Sequence, residues 1–295
     1  MFQLPPSPLQ LINDPILGKF NIKLYIKRDD LIHPDITGNK WRKLKYNLIA
    51  AREQGFDTLL TFGGAYSNHI AATAVAGKTF NFKTIGLIRG QELTPTSNRT
   101  LMYAKLNGMD LIFLPRLDYG YKDILTREYK KDHYVLPEGG TNVLAVKGVM
   151  EMVDEIYDEI TPDYICCAVG SGGTLAGIVN GLRGNTEAIG ILILKDDTRN
   201  LTWKAVVKLI PENAGFDLIK DDYHFGNYAK TTPELMNFIK EFEKRNPIIR
   251  LEQVYTGKMM FGIYDLIQKG KFRENSTIVV IHTGGMQGRS DELDR

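Results

Sequence analysis

A lysine directly follows a Gly-Asn pair in the stretch Thr37-Gly38-Asn39-Lys40-Trp41-Arg42-Lys43-Leu44. Trp41, Leu44, Leu48 and Ala51 continue it at helical spacing, so Lys40 stands at a helix N-terminus. The positive end of the helix dipole disfavours an ammonium ion there, and a neutral amine is a nucleophile towards aldehydes. On its own the stretch favours a plainer reading, a solvated cation beside Lys43 and Lys45. Other stretches overturn it.

Val169-Gly170-Ser171-Gly172-Gly173-Thr174 follows an apolar run and precedes a helical one. Glycines there let successive backbone N–H groups converge, and the helix dipole adds positive potential, which suits a phosphate monoester. No Gly-Lys-Ser/Thr follows, and Leu175 stands where the dinucleotide fingerprint needs its third glycine. A phosphate without magnesium ligands or a ribose-binding acid points to a cofactor rather than a nucleotide. Gly63-Gly64-Ala65-Tyr66-Ser67-Asn68-His69 also closes a strand-like run. One of Ser67 and Asn68 is accounted for as a helix cap, which leaves further polar atoms to place. Val254-Tyr255-Thr256-Gly257-Lys258 and Ile281-His282-Thr283-Gly284-Gly285 complete the set.

The elements that must hold these loops alternate between strand and helix. Strands are expected at 23–27, 58–62, 84–88, 111–114, 134–136, 164–169, 189–194 and 277–281. Helices are expected from Lys40 and at 68–79, 96–106, 145–159, 175–182, 233–244 and 257–268. This is the pattern of βαβ units and parallel sheets, and so many strands fit two sheets with a cleft better than one. Residues 198–222 cannot be divided into helix and loop by pattern, and Ser290 to Arg295 reads as a loose polar tail.

The 295 residues carry a net charge of +2, with basic and acidic residues interspersed, so nucleic acid is not an implied partner. The adjacent Cys166 and Cys167 lack metal-ligand spacing and read as small buried hydrophobes. Neither a basic leader nor a membrane-length apolar run is present, so a cytoplasmic protein that engages no membrane is expected.

The ordered motifs Lys-Arg-Asp-Asp (27–30), Gly-Asn-Lys (38–40), Ser-Asn-His (67–69), Gly-Ser-Gly-Gly-Thr (170–174), Val-Tyr-Thr-Gly-Lys (254–258) and His-Thr-Gly-Gly (282–285) span nearly the whole chain. Together they resemble the 1-aminocyclopropane-1-carboxylate deaminase and D-cysteine desulfhydrase family. The resemblance implies the tryptophan-synthase-β-like fold, fold type II of the pyridoxal 5'-phosphate enzymes. Two open α/β domains with mainly parallel sheets would hold the cofactor in the cleft between them. The large domain would comprise 1–45 and 150–295, the small one 46–149, and the assembly would be a homodimer. Lys40 would form the Schiff base, and Asn68 would bond the ring hydroxyl. Gly170, Ser171, Gly172, Gly173 and Thr174 would hold the phosphate, and Thr283 the pyridine nitrogen. Ser67, Asn68, His69, Tyr255 and Thr256 would meet a small amino-acid substrate. Ser67, Tyr255 and Tyr228, the last within Phe225-Gly226-Asn227-Tyr228, would act in catalysis. No metal is implied.

Within the family, cyclopropane-opening members typically carry glutamate after the motif tyrosine and leucine in His-x-Gly-Gly. Thr256 and Thr283 instead resemble the D-cysteine desulfhydrase branch. Elimination from D-cysteine or a related D-amino acid is therefore expected, with cyclopropane opening as the alternative. A more distant lyase of the same fold type, a non-catalytic pyridoxal-phosphate carrier and a phosphosugar- or nucleotide-binding protein are the other readings.

Overall fold

The computed structural model describes residues 4–36, 38–195, 200–220 and 222–295. The chain opens with β1 (Leu9–Leu11), α1 (Pro15–Gly18), β2 (Lys23–Lys27) and α2 (Asn39–Glu53). It continues through β3 (Thr58–Gly63), α3 (Asn68–Phe80), β4 (Lys83–Arg89), α4 (Arg99–Leu106), β5 (Asp110–Leu114), α5 (Arg116–Tyr119), α6 (Lys122–Tyr129) and β6 (Tyr134–Leu136). Then come α7 (Val143–Glu159), β7 (Tyr164–Val169), α8 (Gly173–Gly181), β8 (Glu187–Leu192), α9 (Leu201–Val207), β9 (Asp217–Ile219), α10 (Pro233–Arg245), α11 (Thr256–Gln268) and β10 (Thr277–Ile281).

These build two α/β domains around a 6-stranded sheet, β1-β2-β10-β7-β8-β9, and a 4-stranded sheet, β5-β4-β3-β6. Among the described residues every strand pairing is parallel except β1 with β2. The centre of the large sheet is β7, Tyr-Ile-Cys-Cys-Ala-Val, buried at every position. A continuous apolar run is what a strand covered on both faces requires. Cys166 and Cys167 point into the separate cores on its two sides, as alternation along a strand demands. The site motifs follow the C-terminal ends of β3, β7 and β10, the edge at which parallel sheets present ligands.

Two helices join the sheets. α2, which begins next to Lys40, packs against α7, and the expected domain limits at 45/46 and 149/150 both fall inside these continuous helices. A buried ionic cluster locks them to β2. Arg42 bonds Asp29 at 3.0 Å and Glu155 at 2.5 Å, and Lys27 meets Glu155 at 2.8 Å. The Lys27–Asp30 motif is thus a clamp on the helix that carries Lys40.

The structure adds elements to the sequence expectations in three places and overturns one of them. β1 lies within the Pro-rich lead-in, and α5 and α6 occupy 116–129, where exposed residues blur the apolar period. The ill-defined stretch contains α9 and β9, while 196–199 and 221 lie outside the described residues. The final residues are not a loose tail. They form a 3-10 turn, Asp291–Asp294, with Leu293 buried and Arg289 bonded to Glu243 at 2.7 Å. No described helix is long and apolar enough to cross a membrane.

Candidate active site

A cavity of about 580 Å³ opens where the C-terminal edges of the two sheets face each other. Lys40, Ser67, Asn68, Tyr228, Tyr255 and Thr283 all line it, together with Gly170, Ser171, Gly172, Thr174 and His69. Residues more than 200 positions apart in sequence are thereby brought to one space.

Lys40 is buried and donates to Asn39 Oδ1 at 2.7 Å, and Asn39 Nδ2 donates in turn to Thr174 Oγ1 at 2.7 Å. Burial lowers the Lys40 amine to about 8, while the charge of Glu252 pulls the other way. Its position is fixed by Gly38, whose positive φ of 70° favours glycine and whose missing side chain would overlap the Thr283 carbonyl.

At the opposite end α8 starts from Gly172, in the left-handed region at φ 82°. Ser171 Oγ lies 2.7 Å from Thr141 Oγ1. Lys43, which the sequence left among solvated cations, is buried here and donates to Gly139 O at 3.1 Å. Burial, then the neighbouring Lys40, push its amine well below the usual lysine range. A Cβ on Gly173 would lie 2.6 Å from Thr141 Oγ1 and 2.9 Å from Lys43 Nζ, so the glycine makes room for both.

Ser67 caps α3, its Oγ accepting from Ile70 N at 3.3 Å. Asn68 Oδ1 accepts from Gln287 Nε2 at 2.6 Å, and the Asn68 amide lies over Gly285, where a Cβ would come within 2.5 Å of its nitrogen. Thr61 Oγ1 donates to Leu136 O at 3.1 Å, so it accepts from His69 Nε2 at 2.9 Å. That fixes the Nε2–H tautomer of His69, whose Nδ1 has no partner among the described residues and lies under Gly140. Burial, then Lys40 and Lys43, hold the imidazole neutral.

Tyr255 Oη donates to Tyr228 Oη at 3.1 Å, and the rings meet edge to face at 6.0 Å. Burial raises both phenols. Thr256 behaves differently from its expected place at the substrate: it is fully buried behind the wall and does not line the cavity. Its hydroxyl and N–H instead reach Glu252, at 3.1 and 2.6 Å from Oε1. Glu252 also takes N–H bonds from Val254 at 2.6 Å and Tyr255 at 2.9 Å, so one buried carboxylate shapes the start of α11. Lys258 Nζ donates to His224 O at 2.8 Å and Asn227 O at 2.9 Å, which pins the loop leading to Tyr228. Sequence reasoning passed over Glu252, Lys43 and Gln287. Lys43 shares the helix face of Lys40 at i+3, but that spacing does not reveal its burial.

The family model for pyridoxal-phosphate-dependent enzymes matches residues 4–284. The chain belongs to this family. A Pyrococcus horikoshii protein named putative 1-aminocyclopropane-1-carboxylate deaminase is 33% identical to this pyridoxal-phosphate enzyme over 308 residues, covering 96% of this chain and 90% of that one. A mitochondrial protein of Arabidopsis thaliana, named bifunctional D-cysteine desulfhydrase/1-aminocyclopropane-1-carboxylate deaminase, is 31% identical, with 98% and 79% covered. A crystal structure described as an ACC deaminase homologue superposes with TM-score 0.82 at 32% identity, covering 97% of this chain and 91% of that one.

The side chains of this pyridoxal-phosphate enzyme fit its cofactor. Lys43 is a buried amine, disfavoured as a cation by burial and by Lys40, with no carboxylate within 4.0 Å among the described residues, beside a glycine nest at a helix N-terminus. A phosphate dianion there would supply the counter-charge that favours the ammonium form of Lys43. Lys40 offers a buried amine of lowered proton affinity within the same cavity, which is what condensation with an aldehyde requires.

Proposed function

We propose that this enzyme is a deaminating lyase that eliminates the β-substituent of D-cysteine or a related small D-amino acid, giving a 2-oxo acid, ammonia and sulfide. The observation that carries the reading is that Lys40, the Ser67–Asn68 turn and the Tyr255–Tyr228 pair line one cavity, with Thr283 beside them. Bound pyridoxal phosphate supplies an electron sink that acidifies the α-proton of an amino acid.

The protein's own groups do the rest. The Gly170–Thr174 backbone and Lys43 would hold the phosphate, and Asn68, oriented by Gln287, would donate its amide hydrogens to the ring hydroxyl. Thr283 would bond the pyridine nitrogen without protonating it. Lys40 would anchor the cofactor and, once freed by the substrate amine, take the α-proton, a role its lowered proton affinity suits. Ser67 would bind the substrate carboxylate with a hydroxyl proton that its capping bond leaves available. Thr256 would act from behind, through Glu252 and Tyr255.

Opening of the cyclopropane ring is the second reading, favoured by the activity that the similar proteins' names state. Thr256 weighs against it. A glutamate at that position would bring a second buried carboxylate against Glu252. A panel of D- and L-cysteine, D-serine and the cyclopropane amino acid, with Lys40→Ala as control, tests both. Sulfide and pyruvate from D-cysteine support the first reading, whereas 2-oxobutyrate from the cyclopropane alone would replace it. Cofactor binding without turnover would leave a carrier. We further propose a homodimer in the cytoplasm, as the resemblance implies, to be checked by sedimentation and fractionation.

A further inference from the structure

Arg89 ends β4 at the C-terminal edge of the small sheet and lines the cavity. An exposed arginine is by default a solvated cation, but three observations set this one apart. No carboxylate lies within 4.0 Å of its guanidinium among the described residues, and the nearby Glu138 is taken up by Lys122 and by Tyr119 Oη, from which it accepts at 2.7 Å. The guanidinium rests over the Tyr119 ring, 5.9 Å from its centroid, which braces the long side chain. A point one carbon above Gly64 lies 3.6 Å from Arg89 Nη2 and 4.0 Å from Tyr228 Cε1, so the cation and that ring flank the same space in front of the Ser67 turn.

Tyr228 is the terminal member of its pair. It accepts from Tyr255 at 3.1 Å, which leaves its own hydroxyl proton for a partner in the cavity, and burial, against the smaller pull of the Tyr255 bond and the Arg89 charge, keeps that proton on the phenol as a hydrogen-bond donor. Resting on the elimination reading above, we infer that Arg89 and Tyr228 form the leaving-group site, which selects substrates whose β-substituent departs as an anion that needs stabilising, thiolate above all. In the elimination the α-proton passes to the Lys40 amine and the electrons of that bond form the Cα–Cβ double bond. The Cβ–S pair leaves on sulfur, which stays as an anion against Arg89, hydrogen-bonded by the Tyr228 hydroxyl, and takes its proton from water on release. No oxidant or reductant is required. Arg89 would touch only the departing group, so its effect should scale with how poor a leaving group the substrate carries.

Two substrates separate the terms: D-cysteine, whose thiolate leaves reluctantly, and 3-chloro-D-alanine, whose chloride leaves unaided. Arg89→Gln is expected to lower kcat/KM about 10- to 100-fold with D-cysteine, the scale of a lost charge-assisted contact to a developing anion. With 3-chloro-D-alanine the loss should stay within about threefold, and Arg89→Lys should recover part of the D-cysteine rate. Equal losses on both substrates, as for a residue that binds the α-carboxylate or merely supports the fold, would overturn the inference, and so would no loss on either. Wild-type enzyme that turns over neither substrate would instead sink the elimination reading. Should Arg89→Gln fail to fold, the same ratio in Arg89→Lys decides: a loss confined to D-cysteine supports the site, and an unchanged ratio removes it.

Discussion

The two walls of the cavity are built on different principles. The wall proposed to hold the cofactor, from the Gly170–Thr174 nest to Lys40, is cross-linked through Asn39, Thr174, Ser171, Thr141 and Lys43. The wall proposed to face the substrate, formed by Ser67, Arg89, Tyr228 and Tyr255, is held together mainly by one phenol–phenol bond and by supports from behind, Glu252 and Lys258. A rigid nest suits a constant group, whereas a few adjustable polar side chains suit one that is exchanged at every turnover. The contrast also implies that damage to the supports of the substrate wall will cost stability, while damage to the cofactor wall will cost affinity.

The largest effect expected is on stability. Glu252→Ala would leave the N–H groups of Val254, Tyr255 and Thr256 without their buried acceptor, a loss of about 2–4 kcal/mol readable in a denaturant titration. An intact Gibbs energy would show that α11 holds its start without the carboxylate. Next in size is the pH dependence of cofactor uptake. With the Lys40 amine lowered to about 8 by burial, its neutral fraction rises as pH climbs through that value and levels off above it. Uptake of pyridoxal phosphate by the apoenzyme should therefore fall about tenfold per unit below the midpoint, and a profile still climbing steeply at pH 10 would mean that the amine is not desolvated.

Gly173→Ala probes the nest itself. Its Cβ would sit 2.6 Å from Thr141 Oγ1, so cofactor affinity should drop about tenfold with the fold retained, by the partial misplacement of a charge-assisted contact. Gly170→Ala is the matched control, because its Cβ would meet only Tyr255 Cε1 at an ordinary 3.5 Å. Equal effects would erase the distinction between tight and open glycines. The smallest change is expected from Tyr255→Phe, which removes the bond to Tyr228 and should lower kcat about three- to tenfold while cofactor affinity stays put. A loss of cofactor instead would join the two walls into one.

The same contrast explains what could be read from the sequence. Glycine runs at the ends of apolar strands are local signals, so the nest, the Lys40 turn and the alternating order of elements stood out. Lys43 did not, because a lysine's burial depends on helix α7 and the Gly139 loop folding over it, about a hundred residues away. Glu252 was equally silent: a single acid in a polar loop becomes a keystone only when the backbone N–H groups of the next turn converge on it. Thr256 was expected in the cavity because the neighbouring Tyr255 is there, yet successive residues at a helix start point in different directions, and its hydroxyl turns back to Glu252. The C-terminal residues read as a tail because their anchors, Glu243 and the pocket for Leu293, are distant in sequence.

The central claim is that Lys40 rather than its buried neighbour Lys43 carries the cofactor, and peptide mapping after borohydride reduction of the yellow holoenzyme tests it most directly. The account predicts a single pyridoxyl-modified peptide with the label on Lys40; a label on Lys43, or on neither, would contradict it.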